Sequence, residues 1–333
     1  MIKYPAYLLF IPLIFSILAG GCTEKHGSPR GIQSLPEVFS PATYGELKKV
    51  FASRDYDWNT IEQGVPHLIL ERLPADLDSI SRLTEKKRVF FLSLLPMVLM
   101  ANEEILEERE ILEQIFRLHD ADFPLDFDQT AAVVSLSREY GLGEDPLTSI
   151  AARRKLMRRV DIIPPSMALA QAATESAYGT SRFALQGNNL FGEWTFAPGT
   201  GLVPRERPAD ETYEVRRFET LYDSVQSYMR NLNTHRAYRA FREHRAHLRA
   251  AGLPLRGTAL ARGLENYSSR KEAYVEDIRA IIRLNHLSIL SSATLRKNIS
   301  SVHSPAFFPS GSGSGLLAPL VRSSRVRPVR ENP

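Results

Sequence analysis

Gln171-Ala-Ala-Thr-Glu175-Ser-Ala-Tyr-Gly179 is the stretch that decides the fold, and Asn188-Asn-Leu-Phe-Gly192 follows it closely. Pro164 and Pro165 precede the alanine-rich segment and can open a helix, because proline at the first helical position loses no hydrogen bond. Gly179 can close that helix in a left-handed turn. Glu175 then falls in the last turn, where exposed carbonyls disfavour a carboxylate and raise its pKa. A raised pKa suits a general acid, so the stretch predicts a catalytic carboxyl group at a helix end.

The residue pattern on either side of this stretch predicts a mainly α fold. Apolar residues recur at helical spacing through residues 37–140, which we interpret as a helical accessory region, and again through residues 141–290. Two short strands are predicted after the Glu175 helix, from the alternation of Phe191, Trp194, Phe196, Tyr213 and Val215. The sequence therefore predicts a helical domain with a small two-stranded β lobe, preceded by a helical N-terminal region.

The N-terminus has the pattern of an export signal. Lys3 precedes an apolar run through residues 4–18, and small residues then lead to Cys22, the only cysteine of the chain. These small residues resemble the lipobox of bacterial lipoproteins, which implies a signal peptide at residues 1–21 and lipid attachment at Cys22. Ordinary signal cleavage and retention as a short membrane anchor are the alternatives. Residues 22–36 are predicted to be a polar linker.

The C-terminal segment, residues 291–333, is rich in Ser, Gly and Arg and lacks helical or strand periodicity. We therefore predict a disordered basic tail. It holds six basic residues against one acid, so the net charge of +4 comes from the tail and residues 1–290 are close to neutral. Nucleic-acid binding would need a basic face on the folded part, and the sequence accordingly predicts no nucleic-acid partner.

Four separated motifs occur in a recognisable order, at residues 169–179, 187–192, 218–228 and 259–274. Together they resemble the glucosaminidase superfamily, which includes glycoside hydrolase family 73, and most closely its Bax-type bacterial members. The resemblance covers residues 140–290. It implies a lysozyme-like α-helical domain with a small β lobe.

The same resemblance implies roles for the catalytic residues. Glu175 is the acid that protonates the glycosidic oxygen after N-acetylglucosamine, and Tyr267 orients the acetamido group or stabilises positive charge. A buried tyrosine that ties two helices together is the alternative for Tyr267. A two-carboxylate mechanism needs a second acid about 5–9.5 Å from the first, and in the family it lies in the lobe where it is present. Glu206 and Glu211 are our candidates, unless the acetamido oxygen of the substrate acts as the nucleophile.

Five further residues are predicted to line the substrate cleft. By the resemblance, Asn188, Asn189 and Phe191 belong to its wall, since asparagine accepts turn dihedral angles and can hydrogen-bond a sugar. Trp194 and Tyr178 can stack on sugar faces. The alternatives are a structural turn for the asparagines and core positions for the three aromatic residues.

The predicted function is therefore that of an exported endo-β-N-acetylglucosaminidase that cleaves β-1,4 bonds of peptidoglycan. Its predicted location is the outer membrane, facing the periplasm on a lipid anchor, and its predicted partners are peptidoglycan glycan strands and the membrane. A lytic transglycosylase on the same substrate and a non-catalytic peptidoglycan-binding scaffold are the alternatives. No residue spacing calls for a metal or an organic cofactor.

Overall fold

A computed structural model describes residues 36–297, apart from Ala209. The predicted signal peptide at residues 1–21, the lipid site at Cys22, the linker up to residue 35 and the tail beyond residue 297 lie outside the described residues. Within the described part, the fold is mainly helical with a small β lobe, as predicted. The α-helices are α1 (Tyr44–Ala52), α2 (Leu83–Asp120), α3 (Phe127–Glu139), α4 (Ile150–Arg159), α5 (Pro165–Ser176), α6 (Arg182–Gly187), α7 (Leu221–Thr234), α8 (Arg239–Ala250), α9 (Gly257–Leu260) and α10 (Glu272–Leu284).

The longest element is α2, which packs against α5 and α7. Pro96 lies inside it, and a proline there leaves the carbonyl four residues earlier without its helical N–H partner. The Tyr56 hydroxyl donates to that carbonyl, Leu92 O, at 3.0 Å, so the N-terminal region satisfies the buried group. In the described part of the chain, α2 is the one helix long and apolar enough to cross a membrane, but 83% of its most apolar window is buried inside the fold. These features are those of a core helix.

The described strands form two small sheets. Strands β1 (Glu37–Phe39) and β2 (Leu68–Leu70) pair in parallel within the N-terminal region, where only helices were predicted. The lobe contains β3 (Trp194–Thr195), β4 (Gly201–Leu202) and β5 (Glu214–Arg216), with β5 between the other two and antiparallel to both. Two of these strands were predicted. The third, β4, is two residues long and too short to show an alternating pattern.

The accessory region and the predicted catalytic domain share one hydrophobic core. Buried side chains form a continuous cluster that extends along the sequence from Leu47 to Leu290, and residues 36–297 all belong to one folded unit. The α5 helix, which carries Glu175, is buried against α2, α9 and α10. The predicted boundary between residues 140 and 141 therefore does not separate two cores.

The end of the described chain returns to the N-terminal region. Leu295 forms a parallel bridge with Val65, and the Arg296 guanidinium donates to the carbonyls of Gly64, Arg54 and Asp55. The predicted disordered tail therefore does not begin at Ser291, because residues 291–297 are tied to the fold. The polar composition of this segment gave no sign of these contacts, because they are made by its backbone and by one arginine.

A buried ion cluster lies just before α5. Asp161 is 2% exposed, and its Oδ2 accepts from Arg249 Nε at 2.8 Å. Arg245 and Arg109 place nitrogen atoms 3.7 and 3.8 Å from the same oxygen. Burial alone acts to raise the pKa of Asp161, but the Arg249 hydrogen bond and the three positive charges together hold it below its usual value. Arg245 is completely buried and also donates to three backbone carbonyls, so the cluster holds α4, α5 and α8 together.

Candidate active site

Helix α5 places Glu175 where the sequence predicts it, in the last turn. Pro165 occupies the first helical position, and the helix ends at Ser176. The first left-handed residue is Ala177 rather than the predicted Gly179, and Ala177, Tyr178 and Gly179 all have positive φ, at 50°, 55° and 80°. This conformation costs about 1–2 kcal/mol for each non-glycine residue. The turn after Glu175 is therefore strained and needs support from its surroundings.

The N-terminal region provides that support. The Tyr178 ring packs edge-on against Phe90 and Phe91 of α2, with ring centroids 5.8 and 5.9 Å apart. At Gly179 an added Cβ would lie 2.4 Å from Leu73 Cδ1 and 3.0 Å from Phe90 Cδ2, so only glycine fits beneath these side chains. Residues before the glucosaminidase-like motifs thus fix the turn that follows the candidate acid.

The Glu175 carboxyl group lies among tyrosines. Its charge contributes to the raised pKa values of four nearby tyrosine hydroxyls, those of Tyr228, Tyr238, Tyr267 and Tyr274. On the lobe side, a Cβ at Gly192 would lie 3.6 Å from Glu175 Oε2, so the glycine keeps the backbone close to the acid. Burial raises the pKa of Glu175, and a hydrogen bond with Tyr274 opposes part of that rise. The helix-end argument predicted the direction correctly, while burial is the main cause.

Gln171, four residues before Glu175 on α5, joins Tyr228 and Tyr274 through buried hydrogen bonds. The Tyr228 hydroxyl donates to Gln171 Oε1 at 2.6 Å, and Gln171 Nε2 donates to the Tyr274 oxygen at 3.0 Å. Gln171 is completely buried, and Tyr228 and Tyr274 are 1% and 2% exposed. Desolvation and the nearby Glu175 charge both raise the pKa of Tyr274, which therefore stays protonated and able to donate.

Tyr267 lies beside Glu175 but uses its hydroxyl elsewhere. The hydroxyl donates to the Phe191 carbonyl at 2.9 Å, and the ring stacks on Tyr274 with centroids 5.5 Å apart. Burial, followed by the charge of its neighbours including Glu175, raises the pKa of Tyr267 well above its usual value. The structure thus places Tyr267 in the site, tied to the motif that carries Phe191. Its predicted part in catalysis stays a prediction.

The two asparagines hold the lobe in place. Asn188 Nδ2 donates to the carbonyls of Phe218 and Glu219, and Asn189 Nδ2 donates to those of Glu193 and Arg216. Asn189 Oδ1 also accepts from the Glu193 N–H at 3.0 Å. Asn188 is 7% and Asn189 1% exposed, so both amides are engaged by backbone and turned away from solvent. Of the two readings, the structural turn fits both residues better than a sugar contact, because backbone groups of the lobe compete for the same amides.

The three predicted aromatic contacts differ in exposure. Phe191 is 4% exposed and stacks on Tyr228 at 3.9 Å, which makes it a core residue beneath the cleft. Tyr178 is half-buried against α2, with Lys87 Nζ 5.1 Å from its ring centroid. Trp194 is 54% exposed and stacks on Tyr213 at 4.3 Å, so one face is supported and the rest is open. Of the three, Trp194 therefore offers the most exposed aromatic surface.

The lobe acids fall into two groups. Glu214 accepts from the N–H groups of Gly199 and Gly201, which lower its pKa, and Glu193 is bonded to Arg216 and Ser227. These two carboxylates stabilise the lobe. Glu206 and Glu211, the predicted candidates for the second acid, are exposed on the segment between β4 and β5.

Sequence reasoning named Glu175 but missed its hydrogen-bond partners. Gln171 lies four residues before Glu175 and therefore on the same face of α5, and this spacing was a usable signal. Tyr228 and Tyr274 lay inside the recognised motifs, but nothing in their spacing showed that they reach the acid. In the part of the chain that the structure describes, no group of three or more His, Cys, Asp or Glu side chains is arranged to hold a metal ion.

The site thus presents a carboxyl group at the end of a buried helix, beside a small β lobe on a helical body. Residues 150–287 match the profile of the glucosaminidase family, described as mannosyl-glycoprotein endo-beta-N-acetylglucosaminidase. Residues 150–287 therefore form a glucosaminidase-family domain, which is of the glycoside hydrolase-like class.

The chain also resembles a curated bacterial protein. The protein is 32% identical over 197 residues to Protein bax of Escherichia coli (strain K12). That match covers 57% of this chain and 66% of the relative, so the chain spans just under two thirds of the relative's length. No solved structure gave a significant match.

Proposed function

We propose that this protein is an exported endo-β-N-acetylglucosaminidase that cleaves β-1,4 bonds of peptidoglycan, with Glu175 as its general acid. The observation that carries the proposal is the Glu175 carboxyl group, which faces the lobe from a tyrosine-lined site that raises its pKa. Such a group holds its proton to a higher pH than an exposed glutamate and can pass it to a leaving oxygen. Membership of the glucosaminidase family supports a glycan substrate.

The bond is broken when Glu175 protonates the glycosidic oxygen and the anomeric carbon gains positive charge. Water or the substrate's acetamido oxygen then attacks that carbon from the opposite face. Glu206 and Glu211 are the proposed lobe acids for activating the water, because Glu193 and Glu214 are already held by structural bonds. The hydrophobic surface of Trp194 is proposed to stack on a sugar ring next to the bond that is cut.

Export and anchoring are part of the same proposal. Lipid on Cys22 would hold the enzyme at the outer membrane, facing the periplasm, and the linker up to residue 36 would separate the fold from the anchor. Glycan strands of peptidoglycan are the substrate available in that compartment. Metabolic labelling with a radioactive fatty acid checks the anchor: wild-type protein should incorporate label and Cys22→Ser should not.

The central test is a peptidoglycan zymogram with full-length protein. Wild-type protein should clear the gel, and Glu175→Gln should lose about 100- to 10,000-fold in rate, which is the usual contribution of a general acid. Glu243→Gln is the matched control, because the same chemical change is made on an exposed residue of α8. Equal clearing by wild type and Glu175→Gln would remove Glu175 from the mechanism.

One observation favours a lytic transglycosylase as the second candidate. Burial raises the pKa of Glu175, and the proposed second acids, Glu206 and Glu211, are exposed. A transglycosylase needs no second acid to activate water, because the sugar's own hydroxyl attacks. Mass spectrometry of the products separates the two reactions, since hydrolysis leaves reducing ends and transglycosylation leaves 1,6-anhydro ends.

A further inference from the structure

A cavity opens beside the buried ion cluster that precedes α5. Its volume is about 240 Å³, and four arginines of α2, α4 and α8 belong to its wall, namely Arg109, Arg154, Arg158 and Arg249. One water needs only about 10–15 Å³ of such space, so a polar group of several atoms fits. Glu175 lies in the last turn of α5, a helix of 12 residues that is about 18 Å long. The cavity is therefore separate from the candidate active site.

Two of the four arginines are fixed by hydrogen bonds. Arg249 Nε donates to Asp161 Oδ2 at 2.8 Å. Arg109 Nη1 donates to the carbonyls of Met157 and Val160 at 2.7 and 2.9 Å. The two side chains are 15% and 35% exposed for Arg109 and Arg249, so each is anchored on one side and open to solvent on the other. Because a guanidinium has five N–H groups, both arginines keep donors for a ligand.

The other two arginines have no partner within the described residues 36–297. Arg154 and Arg158 lie one turn apart on α4 and are exposed, and neither side chain forms an ion pair or a hydrogen bond there. The neighbouring Arg153, in contrast, is paired with Asp120. Like charges four residues apart on a helix destabilise it. An anion bound between Arg154 and Arg158 would remove this repulsion.

The protein supplies too little negative charge around the cavity. In the described part of the chain, the acids that contact the arginines of the wall are Asp161 and Glu113, whose Oε1 lies 2.9 Å from Arg109 Nε. Arg245 is completely buried 3.7 Å from Asp161, and its Nε has no hydrogen-bond partner among the described residues. Five arginines are thus balanced by two carboxylates, which leaves three positive charges without a counter-ion.

We propose that this cavity binds a phosphate group, which the fixed N–H groups of Arg109 and Arg249 hold and which Arg154 and Arg158 close over. A phosphate group carries about two negative charges near neutral pH and offers three acceptor oxygens. The planar guanidinium group binds such oxygens in pairs. A carboxylate has one charge and two oxygens, and it would leave most of the positive charge uncompensated. Free phosphate and the phosphomonoester headgroup of a membrane lipid share the required chemistry.

The first test is isothermal titration calorimetry of the full chain with inorganic phosphate. One phosphate should bind per protein molecule. The double variant Arg154→Gln/Arg158→Gln should bind it at least about tenfold more weakly, because one lost charge-assisted hydrogen bond already costs on the order of tenfold in affinity. Both side chains are exposed and unpartnered in the described structure, so the variant should fold normally, which circular dichroism checks.

The matched control is Arg117→Gln/Arg138→Gln. It removes the same charge from two exposed arginines of α2 and α3 that do not belong to the cavity wall, and it should bind phosphate as wild type does. Nuclear magnetic resonance then locates the ligand. The Nε–H signal of Arg249, identified by its loss in Arg249→Lys, should shift on addition of phosphate in wild type and in the control.

Vesicles distinguish the two sources of the phosphate group. The full chain is sedimented with phosphatidylcholine vesicles that are pure or contain phosphatidic acid, which carries a phosphomonoester headgroup. Phosphatidic acid binding that is lost in Arg154→Gln/Arg158→Gln and kept in the control supports a lipid ligand. Phosphate binding with the same dependence and no difference between the variants on vesicles supports a soluble ligand. Both variants keep identical chain ends, so any effect of those ends cancels.

Two results overturn the proposal. Equal weakening in the two double variants would show a general attraction to positive charge rather than a site. Binding of neither inorganic phosphate nor phosphatidic acid vesicles in a manner that depends on Arg154 and Arg158 would show that the cavity is not a phosphate site. None of these measurements requires turnover, so they stand or fall independently of the zymogram.

Discussion

Two acids lie at the two ends of α5, and their surroundings differ. Asp161, before the helix, is buried among Arg109, Arg245 and Arg249, which hold its pKa below the usual value despite its burial. Glu175, in the last turn, is half-buried near tyrosines, and burial raises its pKa. Both carboxyl groups are shielded from water. Burial alone therefore does not explain why the pKa of Asp161 is lowered and that of Glu175 is raised.

The difference lies in the compensation of charge. A buried carboxylate next to arginine is an ion pair whose members depend on each other for stability. A buried carboxyl group next to neutral hydroxyls has no such partner and is easily protonated. One end of the helix therefore holds the fold together through ion pairs, and the other carries a carboxyl group that is protonated more readily than an exposed one.

The largest expected effect comes from breaking the Asp161 cluster. Asp161→Ala leaves Arg245 buried without its counter-ion, and we expect the free energy of unfolding to fall by about 3–5 kcal/mol. Chemical denaturation at pH 7 measures the change. Asp120→Ala, which breaks the exposed pair with Arg153, is the control and should have little effect. Similar losses in both variants would show that the cluster is no more important than a surface pair.

The wild-type cluster also predicts a pH dependence. Because the pKa of Asp161 is lowered by folding, its contribution to stability is present above the unfolded value of about 3.9 and is lost as the pH falls through the lower folded value. The difference in stability between wild type and Asp161→Ala should therefore shrink on acidification. A difference that stays constant down to the acid transition would contradict the arginine-based explanation.

A smaller effect of opposite sign is expected at the other end of the helix. Glu175→Gln removes a carboxylate that has no cation, so stability at pH 7 should rise, by on the order of 1 kcal/mol. A folded pKa above the unfolded one makes the ionised form unfavourable at neutral pH. The gain should accordingly disappear below about pH 4.3, where the glutamate is protonated in both states. A loss of stability at pH 7 would mean that Glu175 is paired after all.

The smallest expected effect concerns the exposed aromatic surface of the lobe. Trp194→Ala removes the exposed ring that Tyr213 supports, and KM for soluble glycan fragments should rise about threefold with kcat little changed. Phe127→Ala removes an even more exposed ring from α3 and is the control. An unchanged KM for Trp194→Ala would show that this ring does not contribute to substrate binding.

Much of this site was predictable from local sequence. Pro165 at the start of α5 and the turn after Ser176 are local signals, so both the helix and the position of Glu175 followed from them. The mainly α fold followed from periodicity in the same way. The strand β4 was not predictable, because a strand of two residues shows no alternation of apolar and polar side chains. The parallel pair β1 and β2 was not predictable either, because it depends on contacts between distant segments.

The orientation of side chains was not predictable. Asn188 and Asn189 indicated a turn, but only the folded lobe shows that their amides bind backbone rather than face the cleft. Tyr267 and Tyr274 are seven residues apart, and packing between helices decides that Tyr267 bonds to the Phe191 carbonyl and Tyr274 to Gln171. The arginines around Asp161 likewise come from sequence positions as distant as Arg109 and Arg249, and no local pattern connects them.

The bridge between Leu295 and Val65 has a consequence for the order of folding. Arg296 binds the Gly64 carbonyl across 232 residues of chain, so that contact cannot form until almost the entire described chain is available. Contacts of such long range close large loops and slow folding. Since the same N-terminal region supports the turn after Glu175, a chain emerging from a ribosome or a translocation pore should complete its active site only near the end of synthesis or transport.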